Sequence, residues 1–377
     1  MILGDVHDVI VVGGGPAGSA AAIGLRRAGA SVLLLERQEM PRDKPCGDIL
    51  GTQALSLVAE LGLDRRALDP FPPLRGFALH VAGRRPKVSR ERDLASAPRV
   101  VPRKILDAAL IDLAVRAGAE LRHARVDQVL QHGETIVTRS RSGDHESRLV
   151  IGADGWGSVV ARSLFEERHA GQTGLAGRAY VHDPRGFEGL MRVFYSEETR
   201  PGYGWLFPID RTHANVGVGV LRSDGHALPA LFRHFLEDPG SPLLNLLGDG
   251  ASVDSERTWP LALGWTARRR AAGRALLAGD AASLVGPLTG AGIHSAIRSG
   301  LMAARSAAAA LAAPASTAFH LAAYERDCAR WFRPRLGLER LIQRGLAAPA
   351  GLGALSALFT ASPRLDALWT HLLFSLG

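Results

Sequence analysis

The chain has 377 residues, 46% of them hydrophobic, with a formal net charge of +8. That length holds one large or two medium domains with a real core, and the apolar share is ordinary for a water-soluble globular protein. The positive charges are scattered along the chain instead of forming a stripe, which argues against a nucleic-acid partner.

Arginine supplies almost all of the positive charge; Lys44, Lys87 and Lys104 are the exceptions, as a GC-rich coding bias would leave them. The densest cluster, Arg268 to Arg270, reads as a solvated turn. No signal peptide is recognisable, because the early apolar run Val9–Val12 is short and ends in glycines. A long uncharged stretch, residues 345–361, carries Pro349 and three glycines, so a spanning helix is not expected there. A cytoplasmic protein is expected. Its cysteines, Cys46 and Cys328, are far apart and read as free thiols, with neither a disulfide framework nor a metal site.

In chain order, Val9–Val12 has the length of a buried strand and runs into Gly13, Gly15 and Gly18 in G-x-G-x-x-G spacing. The alanine- and leucine-rich stretch Ser19–Ala28 follows as a helix, ended by Gly29. Ser31–Leu35 is a second strand with Glu36 at its end. This is the order a dinucleotide site needs. Gly13 makes the tight turn, Gly15 lets backbone approach a pyrophosphate, and Gly18 lets helix and strand pack closely. The helix N-terminus faces the phosphates, and Glu36, with Arg37 beside it, is placed at the ribose hydroxyls.

Later segments decide which dinucleotide. A strand ending in Asp154-Gly155 is followed by Ser158 and Arg162. Another ends in Gly279-Asp280 and continues through Gly286, Pro287, Gly290 and Gly292 into an alanine-rich helix. An aspartate at a strand end suits a polyol chain, and glycines before a helix let backbone N–H groups meet a flat ring or an anion. No second G-x-G-x-x-G follows a strand, so no separate nicotinamide domain is expected.

Between these motifs, Tyr203, Trp205 and Phe207 alternate on one strand face, closed by Pro208. A second strand carries Val216, Val218 and Val220 on one face and Asn215, Gly217 and Gly219 on the other, forming a hairpin around Asp210-Arg211. Aromatic stripes are most often core, but glycines in a strand leave room for a close approach, so core and cavity lining both stand open. Beyond Gly300 the chain reads as helices at Leu301–Leu311 and Ala318–Leu338, then an apolar face from Phe359 to Phe374 that would cover the cavity or touch a membrane surface. His294 opens the helix after the glycines and reads as packed beneath it rather than facing the ring.

The ordered motifs resemble the FAD-binding domain of the para-hydroxybenzoate hydroxylase-like flavoproteins. The stretch Val101–Leu121 is similar to the segment whose arginine, here Arg103, lies by the flavin pyrophosphate in that group. The run Tyr203-Gly-Trp205-Leu-Phe207-Pro208 and the run Lys44-Pro-Cys46-Gly47-Asp48 are similar to signatures of the geranylgeranyl reductase family. After Asp48 the chain departs from many prenyl reductases, and the W-x-W-x-I-P pattern of halogenases is absent. The resemblance implies an α/β fold: a Rossmann-type FAD-binding domain (1–73, 101–163, 264–315), an inserted antiparallel-sheet substrate domain (74–100, 164–263) and a helical C-terminal region (316–377).

It implies reduction of a carbon–carbon double bond in an apolar, prenylated or natural-product substrate by hydride from reduced FAD. A monooxygenase working through a flavin C4a-hydroperoxide, or a flavin-binding protein without turnover, also fits the motifs. Electrons would come from NADPH, NADH or a partner protein. Tyr203 and Trp205 are expected to line the cavity opposite the Gly286–Gly292 loop. Cys46, held on a Pro-Cys-Gly turn beside Lys44, is expected as a neutral thiol near the reactive face, shaping the pocket or relaying a proton.

Overall fold

The computed structural model describes residues 6–91, 93–165, 172–221, 228–266, 269–348 and 350–354. The first strand, His7–Val12, lies between Val32–Glu36 and Gly143–Gly152, parallel to both. The strand Ala275–Leu277 continues the parallel run on one side and Glu120–His123 on the other. Every residue of Val32–Glu36 is buried, as expected of a parallel strand covered on both faces. The helix Pro16–Arg27 crosses over from the first strand to the second. It packs on the helix Ile293–Ala312, where Gly24 and Ala304 keep the contact close.

A second sheet is built from residues 76–90 and 172–263. Its strand order is Ser252–Leu263, Gln172–His182, His213–Leu221, Tyr203–Pro208, Leu190–Tyr195, Gly76–Val81 and Lys87–Arg90. One face carries Val216, Val218 and Val220 and packs under the amphipathic helix Leu228–Glu237. The other face carries Tyr203, Trp205 and Phe207 and joins the core of the dinucleotide-binding sheet. The hairpin turn falls at Asp210, whose carboxylate accepts the N–H groups of Thr212 and His213 at 2.7 and 2.8 Å. The two-residue periodicity thus assigned both faces.

The long helix Thr317–Ala347 runs through Pro334 and ends nine residues later than the Ala318–Leu338 span expected from sequence. Buried Tyr324, Cys328, Phe332 and Leu336 recur on its inner face and hold it across the proline. No described helix is long and apolar enough to cross a membrane. The apolar face expected from Phe359 to Phe374 lies outside the described residues.

Candidate active site

The glycine loop has the geometry its spacing calls for. Gly13 has φ +101°, and a Cβ there would sit 2.5 Å from the Ala153 carbonyl oxygen. A Cβ at Gly18 would sit 1.8 Å from the Gly13 carbonyl oxygen. Gly15 opens the helix Pro16–Arg27 without a side-chain cap, and its first turn has no acid. A Cβ at Gly15 would lie 3.6 Å from an Arg42 nitrogen and 3.9 Å from an Arg103 nitrogen. Uncapped N–H groups beside two guanidinium groups make an anion cradle of the kind a pyrophosphate fills.

Arg103 is buried and gives two hydrogen bonds of 2.7 Å to Asp107, which Arg42 also meets at 2.9 Å. Nothing in the sequence singled out Arg42 or Asp107. The Arg103–Asp107 pair has the i,i+4 spacing of one helix face, which was the available signal. Glu36 is buried at the end of its strand, accepting the Gly14 N–H at 2.8 Å and the Gln38 N–H at 3.0 Å. Arg37 is exposed just beyond it.

Two expected cofactor residues have protein partners. The Asp154 carboxylate accepts from Ser158 Oγ at 2.5 Å and from the Val159 N–H at 2.6 Å, so it caps the helix Val159–Leu164. Gly286 does not line the cavity; a Cβ there would meet Glu339 Oε2 at 2.4 Å, so the glycine admits the C-terminal helix instead of a ring. Gly155, at φ +74°, turns the chain past Lys44. Pro287, Gly290 and Gly292 do line the cavity. Gly292 starts the helix Ile293–Ala312, again with no side-chain cap, so a second free helix N-terminus faces the same space.

Asp280 pairs with Lys44 at 3.0 Å. Burial alone would raise its carboxyl, but Lys44 and Arg103 outweigh that and hold it below the usual carboxylate range. Asp280→Ala is expected to purify with less than roughly a tenth of the wild-type flavin, because a charge-assisted acceptor on the floor is lost and Lys44 is left without its counterion. Absorbance of the purified variant checks this, and wild-type flavin content would defeat the assignment.

The roof comes from the second sheet. Trp205 is 6% exposed, stacks with Phe207 at 6.0 Å between centroids, and lines the cavity, so core and lining are the same residues here. The close approach that Gly217 permits is by Trp205 itself: a Cβ at its cross-strand partner Gly217 would lie 2.2 Å from the indole. Tyr203 was expected opposite the Gly286–Gly292 loop, but its hydroxyl donates to the Thr289 carbonyl and so latches the roof onto that loop. His294 is buried beneath its helix, beside Arg335 and Trp331, and burial, with the Arg335 and Arg298 guanidinium groups nearby, pushes it down to about 3.

Cys46 is half-buried and lines the cavity. Burial pushes its thiol up, Asp48 adds to that, and Arg103, the Asp48 N–H and Lys44 oppose it without cancelling it. Asp48 itself is fully buried with φ +61°, a left-handed conformation that costs a non-glycine residue energy. Its Oδ2 accepts from Tyr180 Oη and Asn215 Nδ2, both at 2.8 Å. Asn215 also donates to the Cys46 carbonyl at 2.7 Å and accepts from Trp205 Nε1 at 2.8 Å.

The C-terminal helix completes the site with residues no motif marked. Glu339 accepts from Thr289 Oγ1 at 3.2 Å and the Leu288 N–H at 3.3 Å, and Gln343 donates to the Pro287 carbonyl. Both are buried polar side chains on a helix whose own sequence reads only as amphipathic.

A glycine cradle, two helix N-termini without side-chain caps and an aspartate beside the Pro287–Gly292 loop fit an FAD-binding flavoprotein. The FAD binding domain family model matches residues 6–333. The chain is 31% identical to a menaquinone reductase of Mycobacterium tuberculosis, covering 81% of this chain and 77% of that one. It is 32% identical to digeranylgeranylglycerophospholipid reductase 1 of Methanopyrus kandleri, covering 86% and 87%. A geranylgeranyl bacteriochlorophyll reductase-like structure from Thermoplasma acidophilum shares the fold with a TM-score of 0.81 at 22% identity, covering 98% and 96%. The chain belongs to the FAD-binding domain family and, within it, to the geranylgeranyl reductase group of FAD-dependent oxidoreductases.

Proposed function

We propose that the protein reduces a carbon–carbon double bond in a long apolar, isoprenoid-type substrate. The carrying observation is the cavity wall. It runs from Trp259 and Leu261 across Ala176, Gly219 and Trp205 to Met191, Val193, Phe77 and Leu79, on six neighbouring strands. At about 4.8 Å between strands, five steps give a wall roughly 24 Å wide, long enough for an extended chain. The names of the reductase relatives support the same reading.

Reduced FAD supplies a hydride when bound, with electrons from NADPH, NADH or a partner protein. The chain's own residues do the rest. The aromatic roof excludes water and holds the chain flat against the floor. Cys46 keeps a proton at Sγ, because burial disfavours the thiolate. The S–H bond would break as that proton moves to one alkene carbon, the FAD held at Gly15, Arg42 and Arg103 would supply the hydride for the other, and water would return a proton to the sulfur, leaving hydroxide.

Product mass tests the reading. With a geranylgeranyl substrate, reduced flavin and no air, wild type should add two hydrogens per double bond, and Cys46→Ala should keep its flavin but reduce at least about tenfold more slowly. A gain of one oxygen in air would replace the reading with oxygenation, and an unchanged substrate would remove turnover altogether. A wild-type rate in Cys46→Ala would leave the cysteine a space-filling role.

A further inference from the structure

The buried carboxylate of Asp48 lies outside everything assigned so far: it is not at the flavin cradle, and the apolar wall has no use for a charge. A fully buried carboxylate in a left-handed conformation is expensive twice over, so its partners show what it is for. They come from three places. Tyr180 and Asn215 reach it from the roof sheet, and the Arg103 N–H reaches it at 3.3 Å from the flavin floor. The Asp48 backbone carbonyl accepts the Val101 N–H at 2.7 Å, from the segment leading into that same helix. Asn215 carries the connection on to the Cys46 carbonyl and to the Trp205 indole.

We propose that Asp48 is the positioning residue of Cys46, clamping the Cys46–Gly47 turn between the flavin floor and the aromatic roof through Asn215. The inference rests on the reading of Cys46 as proton donor. It has a geometric and an electrostatic part. Geometrically, the turn is held by its carbonyl and by the strained, clamped residue that follows, so the thiol has one place beside the cavity. Electrostatically, a carboxylate two residues away favours the neutral thiol. The charged and titratable groups around the pair are Lys44 and Arg103 near the sulfur, Tyr203 across the cavity, and Arg178 and Tyr180 behind Asp48. The cations favour thiolate; removing Asp48's charge would leave only burial to oppose them. The same logic explains the stacking of Arg178 on Tyr180 at 4.2 Å: it keeps a positive charge near Asp48 and tied to Asp43 at 2.6 Å, so the carboxylate is not isolated.

The test uses the FAD-loaded enzyme and two variants. Asp48→Asn keeps the size and tolerates the left-handed backbone while removing the charge. Tyr180→Phe removes a single donor to Asp48 and serves if the first variant folds poorly. Alkylation of Cys46 by iodoacetamide, followed by mass spectrometry across pH, is the first readout, with fully buried Cys328 as internal control. The alkylation midpoint should move to lower pH in Asp48→Asn, with a rate roughly three- to tenfold higher below the midpoint; Tyr180→Phe leaves the carboxylate charged but loosens its hold on the turn, and should raise the alkylation rate about threefold with the midpoint unmoved. The second readout is a double-mutant cycle on reduction rate: Asp48→Asn should slow the wild-type enzyme about tenfold and leave Cys46→Ala unchanged. An unshifted alkylation profile in both variants, or an equal loss from Asp48→Asn with and without Cys46, overturns the proposal. A wild-type rate in Cys46→Ala alone defeats the proton-donor reading instead, and the alkylation profile still decides whether Asp48 sets the thiol.

Discussion

Arg103→Ala is expected to yield a colourless protein that is about 3–5 kcal/mol less stable than wild type. Two losses combine. Arg103 is 5% exposed and gives Asp107, which is fully buried, both of its short hydrogen bonds. Without the guanidinium, Asp107 keeps only Arg42, at 2.9 Å, as its counterion. The cradle at Gly15 also loses one of its two cations, so the pyrophosphate's charge is only half answered. Arg103→Lys separates the effects: a lysine keeps the charge but cannot make the paired N–H contact. It should recover part of the flavin and little of the stability. Flavin-to-protein ratio and urea unfolding of the apoproteins measure the two terms. An alanine variant that stays yellow would move the phosphate site elsewhere.

The legible and illegible parts of this site differ in kind. Gly13, Gly15, Gly18, Glu36 and Asp280 were readable because each is demanded by a local geometry: a turn, a close approach, a strand end. Tyr203, Trp205 and Phe207 were readable because a strand alternates with period two. What escaped depends on contacts between distant segments. Asp48 and Asn215 meet across 167 positions of sequence, Glu339 meets Thr289 across 50, and no periodicity encodes either. The motifs place Asp154 and Gly286 at the cofactor, and the structure adds a protein partner to each. That partner is a helix N-terminus for Asp154 and a buried glutamate for Gly286. A motif fixes where the backbone turns more firmly than what the side chain touches.

Trp205→Ala is the second large effect, and it tests whether the roof recognises substrate or only fills space. The indole is nearly buried, packs beside Tyr203 and Phe207, and covers the bare face of Gly217. Truncation should cost about 3–5 kcal/mol of stability, as for other large-to-small changes in a core. That loss alone would not identify a binding residue. Trp205→Phe retains a ring but deletes the indole N–H, leaving the Asn215 oxygen without its donor, at a cost of about 1–3 kcal/mol. If the roof binds substrate, the alanine variant should keep flavin and raise KM for a geranylgeranyl substrate at least about tenfold, while the phenylalanine variant keeps KM near wild type. The phenylalanine variant should instead lower kcat, because Asn215 is the link that carries the indole's position to the Cys46 turn. Equal stability losses with KM and kcat unmoved in both would make the tryptophan core alone. A loss of flavin in Trp205→Ala would mean that the roof also braces the floor, through the Tyr203 latch on Thr289 next to it on the same strand face.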